Sequence, residues 1–218
     1  MRLIAHRGFA SVYPENTLSA IERASAVADE VEVDVRRCAS GELVVIHDST
    51  VDRVTERNGS VSEYTRSDLG SMRVLGTEEG VPTLAEILRT LPPRVGINIE
   101  LKEAHTAADV LGLVSSLHPN SIVSSFSREA LAACRDIDPN ISTAYITDEP
   151  GTEGIETAAE LDCEYLHLSV ESCSERAVGA AHSVGIQVNV WTVDSADEAT
   201  RLASTGVDGV MADRPDVL

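Results

Sequence analysis

Positive charge is scarce in this chain: 17 Lys and Arg stand against 36 Asp and Glu, for a formal net charge of −19. The acids are spread along the whole length rather than gathered in a tail. No nucleic-acid partner is expected, because a phosphate backbone is bound mainly by neutralising Lys and Arg. The pattern reads instead as a solvated, halophilic surface suited to high salt, where screening weakens self-repulsion. An anionic substrate must then be met by local positive charge. Lysine is scarcer still: 16 of the 17 bases are arginine, and Lys102 is the only lysine. A leftover surface residue is the plainer reading of Lys102, but it follows the run Asn98, Ile99, Glu100, Leu101, and that context makes it a site candidate.

Closely spaced cysteines are missing as well. Cys38, Cys134, Cys163 and Cys173 contain no CxxC pair, which argues against a structural zinc site and for reduced, mostly buried thiols. No apolar run reaches membrane-spanning length, and the segment after Met1 has no signal-like apolar stretch. A cytoplasmic protein without stable membrane insertion is the expectation. The sequence is silent on oligomeric state.

What is present is alternation. A chain of 218 residues suffices for one domain, 1–218, with a substantial core. Short β-branched or apolar runs predict eight strands: Leu3 to His6, Val31 to Val35, Val95 to Glu100, Ile122 to Phe126, Ser142 to Ile146, Tyr165 to Leu168, Gln187 to Trp191 and Gly209 to Ala212. Between them, apolar residues recur at spacings of three and four. Leu18, Ile21, Ala24 and Ala28 share one face, as do Ala107, Val110, Leu111, Val114 and Leu117. Thr83 with Glu86, Thr106 with Asp109 and Asp194 with Asp197 are expected helix caps, and a helix is expected to begin near Ser127. Strands alternating with single helices imply right-handed parallel crossovers, and eight of them make a closed (β/α)8 TIM barrel the natural α/β solution. A doubly wound sheet is the competing arrangement, since periodicity does not show closure. After the second barrel strand, Gly41 leads into a short extra strand, Leu43 to Ile46, and residues 49–80 form a small insertion over one mouth, as a rigid wall or a mobile lid.

Several residues carry chemistry in this frame. Glu32 and Asp34 stand two apart on a strand and therefore share a side. Two unpaired carboxylates facing inward would be costly, so something cationic belongs between them. Glu100 ends another strand. Together the three suit a hard, oxygen-loving ion, Mg2+ or Ca2+, more than a transition metal. A buried ion pair between Lys102 and Glu100 without metal is the competing reading. His6 closes the first strand and His47 the extra one; each alone fits a hydrogen-bonded core residue, but together they form a potential acid and base. Arg7 and Lys102 supply donors for phosphoryl oxygens. Asn16 either caps the first helix or supports the site, and Glu15 is an outer ligand or an orienter. Trp191, the sole tryptophan, and Phe126 are candidate walls of an apolar pocket, with core packing as the alternative for Trp191. His167 is a candidate for a secondary pocket role. Asp208 and Asp213 flank the last strand and are expected to cap a loop or pair with Arg214. His105, His118 and His182 are expected at the surface.

The ordered segments His6-Arg7-Gly8, Pro14-Glu15-Asn16-Thr17, Glu32-Val33-Asp34, His47-Asp48, Pro82-Thr83-Leu84, Asn98 through Lys102, Val190-Trp191-Thr192-Val193 and Asp208-Gly209 span nearly the whole chain. In this combination the sequence resembles the glycerophosphodiester phosphodiesterase family. The resemblance implies a TIM barrel with a small insertion bordering the active site. It implies one divalent ion, Mg2+ or Ca2+ with Mn2+ as an alternative, on Glu32, Asp34 and Glu100, and a general acid and base pair in His6 and His47. It also implies phosphate binding by Arg7 and Lys102, with Glu15 and Asn16 in support. The implied reaction is hydrolysis of a small glycerophosphodiester to an alcohol and glycerol phosphate, through either a cyclic phosphate or direct attack by water. A phospholipase-type phosphodiesterase and a non-catalytic barrel binding phosphorylated ligands are the alternatives. The chain departs from common members in its acidity, its lysine poverty and an only partly matching segment from Asp52 to Gly59, which leaves the headgroup open.

Overall fold

Val31, Val33 and Val35 alternate with Glu30, Glu32 and Asp34, and an extended strand sends the two sets to opposite sides. In the computed structural model, which describes residues 1–118 and 120–218, the three valines are fully buried in the main apolar core against the outer helices. The acids face the other way, into the barrel. Each fully buried Val or Ile contributes roughly 1.5–3 kcal/mol.

Eight parallel strands, β1 (Arg2–His6), β2 (Glu30–Arg37), β4 (Gly96–Leu101), β5 (Ser121–Ser125), β6 (Ser142–Thr147), β7 (Tyr165–Ser169), β8 (Gln187–Val193) and β9 (Gly209–Ala212), lie in barrel order. Closure is explicit: β1 pairs with β9 on one edge (Arg2 with Gly209) and with β2 on the other (His6 with Glu32). The doubly wound alternative is thereby removed, and the fold is a (β/α)8 barrel. The extra strand β3 (Leu43–Val45) pairs antiparallel with the far end of β2, beyond the reach of β1.

Helices α1 (Leu18–Ala24), α3 (Leu84–Thr90), α4 (Ala107–Leu117), α5 (Arg128–Ile137), α6 (Glu153–Glu160), α7 (Glu175–Ser183) and α8 (Ala196–Thr205) surround the barrel, while α2 (Arg66–Ser71) belongs to the insertion. The Thr83–Glu86 capping box forms as expected, and Ser127 caps α5. Other local expectations shift. Thr106 holds the N-cap position of α4 as expected, but its hydroxyl donates to the Glu103 carbonyl at 2.7 Å and makes no capping bond to the helix. At α8 the cap is Ser195, whose Oγ accepts from Glu198 N at 3.3 Å, because β8 runs on to Val193 and delays the helix past Asp194. α1 stops at Ala24, so Ala28 lies in the following turn, still buried.

The insertion has an apolar centre of its own, in which Val51, Val54, Val61, Leu69, Met72 and Val74 pack with Val44, Ile46 and Val81. Sequence inspection understated this, since these residues are scattered singly among charges. No helix among the described residues is long and apolar enough to cross a membrane.

Candidate active site

The site sits where β1, β2 and β4 end. β1 finishes at His6, and the chain then turns through Arg7, Gly8 and Phe9, all with positive φ (50°, 78° and 69°). Gly8 is required twice over: its φ is left-handed, and a Cβ there would meet Ala20 of α1 at 3.0 Å. The turn folds Arg7 back over the acids of β2. Its backbone N–H donates to Glu32 Oε2 at 3.1 Å, and its guanidinium reaches Glu15 Oε1 and Asp34 Oδ2, each at 3.2 Å.

Asp34 is the hub. Lys102 Nζ lies 2.9 Å from its Oδ1 and also pairs with Glu100, while Asn16 Nδ2 donates to its Oδ2 at 3.0 Å. Asn16 is therefore bonded into the site and caps no helix; the cap of α1 is Thr17. Burial alone would raise the Asp34 carboxyl, but Lys102 and Arg7 hold it down at about 2. Glu32 has no comparable partner. Burial and the adjacent Asp34 push it up to about 8, and its Oε1 is buried with no hydrogen-bond partner. Glu100 is also raised, by burial first and Asp34 second, against the pull of Lys102.

Glu32, Asp34 and Glu100 each present an oxygen within 4.8 Å of the others. Three converging carboxylates, one with an orphaned buried oxygen, fit a divalent, oxygen-seeking cation, whose charge would favour the ionised form of all three. The Lys102–Glu100 ion pair is real, but it leaves Glu32 uncompensated, so it does not replace that cation.

The two histidines flank the acids in matching arrangements. His6 Nδ1 is 2.6 Å from Asp213 Oδ1, and His47 Nδ1 is 2.6 Å from Asp48 Oδ1. A carboxylate on Nδ1 fixes the ring and leaves Nε2 for chemistry. Burial works against the charged form of His6, but the Asp213 hydrogen bond and the charge of Glu32 outweigh it, and the pKa is raised. For His47, burial, with Lys102 and Arg7 adding to it, outweighs Asp34 and Asp48, and the pKa is lowered.

Asp213 was expected to cap a loop or pair with Arg214. Instead it orients His6, and Arg214 pairs with Asp216 at 3.0 Å. The partnership spans 207 residues, so no local pattern announces it; the available signal was an acid directly following a barrel strand. Asp208 caps no loop of its own either: its carboxylate accepts from Val188 N at 2.7 Å and bonds His182, 20 and 26 residues away.

Arg53, in the insertion, was missed altogether. It clamps Asp48 through Nε (2.7 Å) and Nη2 (3.2 Å), and Glu15 through Nη1 (2.6 Å) and Nη2 (2.8 Å). Burial would raise the Glu15 carboxyl, yet the bonds from Arg53 and Arg7 lower it. Glu15 thus joins Arg7 to Arg53 rather than facing the cation position.

A cavity of about 140 Å³ opens between these groups, with His6, Arg7, Glu32, His47, Glu100 and Lys102 on one side. Asn98, Phe126, Ile146, His167, Trp191, Thr192 and Met211 complete it. β5 ends at Ser125, so Phe126 stands on the following loop, 47% exposed, edge-on to Trp191 at 5.7 Å. Trp191 is thus part of the cavity wall, with Nε1 donating to His167 O at 3.2 Å. His118, expected at the surface, is buried.

Comparison with known proteins agrees with this geometry. The profile of the glycerophosphoryl diester phosphodiesterase family matches residues 6–217. The chain belongs to this family. It is similar to YhdW of Bacillus subtilis, at 31% identity over all of this chain and 96% of that protein. It is also similar to a glycerophosphodiester phosphodiesterase of Bacillus altitudinis, at 30% identity over 99% of this chain and 95% of that one. Among solved structures, an Oleispira antarctica phosphodiesterase in complex with the product sn-glycerol-3-phosphate superposes with a TM-score of 0.93 at 27% identity, covering 99% of this chain and 94% of that one. The chain is accordingly an enzyme of the glycerophosphodiester phosphodiesterase class, acting on a small phosphodiester at a metal-associated site.

Proposed function

We propose that this enzyme cleaves glycerophosphodiesters to an alcohol and glycerol phosphate, with His47 as general base and His6 as general acid. The observation that carries this reading is the pair of imidazoles beside three carboxylates, each held through Nδ1 by an acid, with pKa values pushed apart: His6 up, His47 down. Opposite shifts of two imidazoles support that division of roles, which the geometry of the two rings beside the acids carries.

Glu32, Asp34 and Glu100 would hold Mg2+ or Ca2+, with Mn2+ as a further candidate, and the ion would supply Lewis-acid stabilisation of phosphoryl charge. Arg7 and Lys102 hold the non-bridging oxygens and balance the charge that grows on them as the P–O bond breaks. Neutral His47 takes the proton of the attacking hydroxyl at Nε2, and protonated His6 delivers one to the departing alkoxide. If the first attack comes from the substrate's own glycerol hydroxyl, water then opens the cyclic phosphate with the two roles exchanged. Arg53 keeps Asp48, and through it His47, in place.

The decisive experiment incubates a panel of glycerophosphodiesters with Mg2+, Ca2+ or Mn2+ in high salt and identifies both products. An alcohol and glycerol phosphate are expected, and loss of turnover on chelation is expected to reverse when the ion is returned. Turnover indifferent to chelation, or products other than these, would refute the reading.

Two further outcomes follow. The rate should be bell-shaped in pH. It falls as pH drops through the lowered pKa of His47, which protonates the base, and falls again as pH rises through the raised pKa of His6, which removes the acid's proton. A single-limbed profile of kcat/KM would contradict the division of roles. Arg53→Ala should lower kcat by about 10–100-fold, the usual effect of removing a group that orients a functional imidazole. Arg53→Lys, which restores the charge without the fork, should recover only part of it.

A further inference from the structure

Arg36 has no part in the mechanism above, although it stands next in the row that runs Glu30, Glu32, Asp34 along β2. It lies beyond the acids near the strand's end, 16% exposed, and does not line the catalytic cavity. Its Nε donates to the main-chain carbonyl of His47 at 2.9 Å, and its Nη1 donates to Glu103 Oε1 at 3.3 Å. One guanidinium therefore joins the general base to the residue that follows Lys102.

Both ends of that link lie past the regular sheet, where ladder bonds no longer fix the backbone. β3 ends at Val45, and Ile46 N makes the last main-chain bond before the base, to Asp34 O at 3.0 Å. The next main-chain tie is Ser49 O, which accepts from Val61 N at 2.9 Å. Among the described residues, neither His47 nor Asp48 makes a backbone–backbone hydrogen bond. On the other side, the β2–β4 ladder closes with Lys102 N on Val35 O at 3.3 Å, and from there a side chain continues it: Glu103 Oε2 accepts from Arg37 N at 3.1 Å. Glu103 thus fastens the chain after β4 to β2, and Arg36 extends that fixed point to the His47 peptide. Asp48 and Arg53 hold the imidazole from the insertion side, through side chains; Arg36 holds its backbone to the barrel.

We propose that Arg36, braced by Glu103, is a positioning residue for the reaction: it sets how far the His47 imidazole stands from the phosphoryl group held by Arg7 and Lys102. This rests on His47 serving as general base, as read above. Lys102 needs no such brace, since Asp34 and Glu100 already pair with its ammonium. A charged donor on a carbonyl makes a stronger bond than a neutral one. A catalytic group displaced by about 1 Å can cost about 10²-fold in rate. Breaking the link should therefore act on turnover and leave phosphate binding alone.

The test uses Arg36→Met, which keeps the length and apolar stem of the side chain without its donors. For the glycerophosphodiester and ion that serve wild type best, kcat is expected to fall by about 10–100-fold. KM and the dissociation constant of glycerol phosphate should stay within about threefold of wild type, because an interaction made only in the transition state is lost. Arg36→Lys, whose ammonium offers three donors to the two acceptors, should return most of the loss. Glu103→Gln leaves one acceptor for two donors and gives a milder loss, again confined to kcat. The sharpest comparison is with His47→Ala: with the base gone, adding Arg36→Met should lower the residual rate by less than about twofold. Thermal transitions show whether each variant is folded. Wild-type kcat in folded Arg36→Met, a KM effect as large as the kcat effect, an Arg36→Lys no faster than Arg36→Met, or an undiminished loss in the His47→Ala background overturns the proposal. Absence of wild-type turnover on every glycerophosphodiester overturns the glycerophosphodiesterase reading instead, and full turnover in His47→Ala overturns the base assignment.

Discussion

His47→Ala is expected to lower kcat for a glycerophosphodiester by about 10²–10⁴-fold, the range a positioned general base provides. The imidazole is tied to Asp48 at 2.6 Å, and Asp48 is tied in turn to Arg53, so the ring is held by a chain of charges that alanine cannot replace. His6→Ala should lose a comparable amount, since its ring is held in the same way by Asp213. The double variant should lose far less than the product of the two losses, because both groups serve one transition state. Binding of glycerol phosphate should survive in all three variants, as Arg7 and Lys102 remain. Calorimetric titration alongside rapid-quench kinetics checks both halves, and wild-type turnover in either single variant would remove that histidine from the chemistry.

Glu32→Gln should abolish dependence on the divalent ion together with activity, yet leave the metal-free protein at least as stable as wild type above neutral pH. Without metal, Glu32 titrates at about 8 rather than at its ordinary 4.5. Between those values the folded state binds more protons than the unfolded one, so metal-free stability declines as pH rises from 4.5 toward 8. Glutamine mimics the protonated acid and removes that decline. With ion at 100 times its dissociation constant, wild type should gain about 2.7 kcal/mol, and the variant should gain much less. Thermal melts at several pH values, with and without Mg2+ or Ca2+, give both signs in one series. Equal stabilisation of variant and wild type by the ion would move Glu32 out of the metal site.

Much of this was readable in one dimension because strand geometry converts spacing into direction. Residues two apart on a strand share a face, so Glu32 with Asp34, and Glu100 with Lys102, could be sent into the barrel before any coordinates were known. The ends of β1 and of the extra strand were legible to within a residue, which placed His6 and His47 at a mouth, whereas β5 stops short of Phe126 and β8 runs past Trp191. The cap of α8, the bonding of the Thr106 hydroxyl at α4 and the end of α1 were not legible, since a two-residue extension of a strand or a preceding turn outweighs a local capping preference of about 1 kcal/mol.

What the sequence determined by itself, then, is the alternation of strand and helix, the inward row of acids, and a short set of imidazoles and cations to accompany them. Closure of β1 on β2, the pairing of Asp213 with His6, the clamp of Arg53 on Asp48 and Glu15, and the link from Glu103 through Arg36 to His47 were decided by the tertiary structure alone. Periodicity records which side of its own element a residue faces. Partners 207, 67 or 38 positions away are chosen by how a closed barrel brings strand ends together, and no local spacing encodes that meeting.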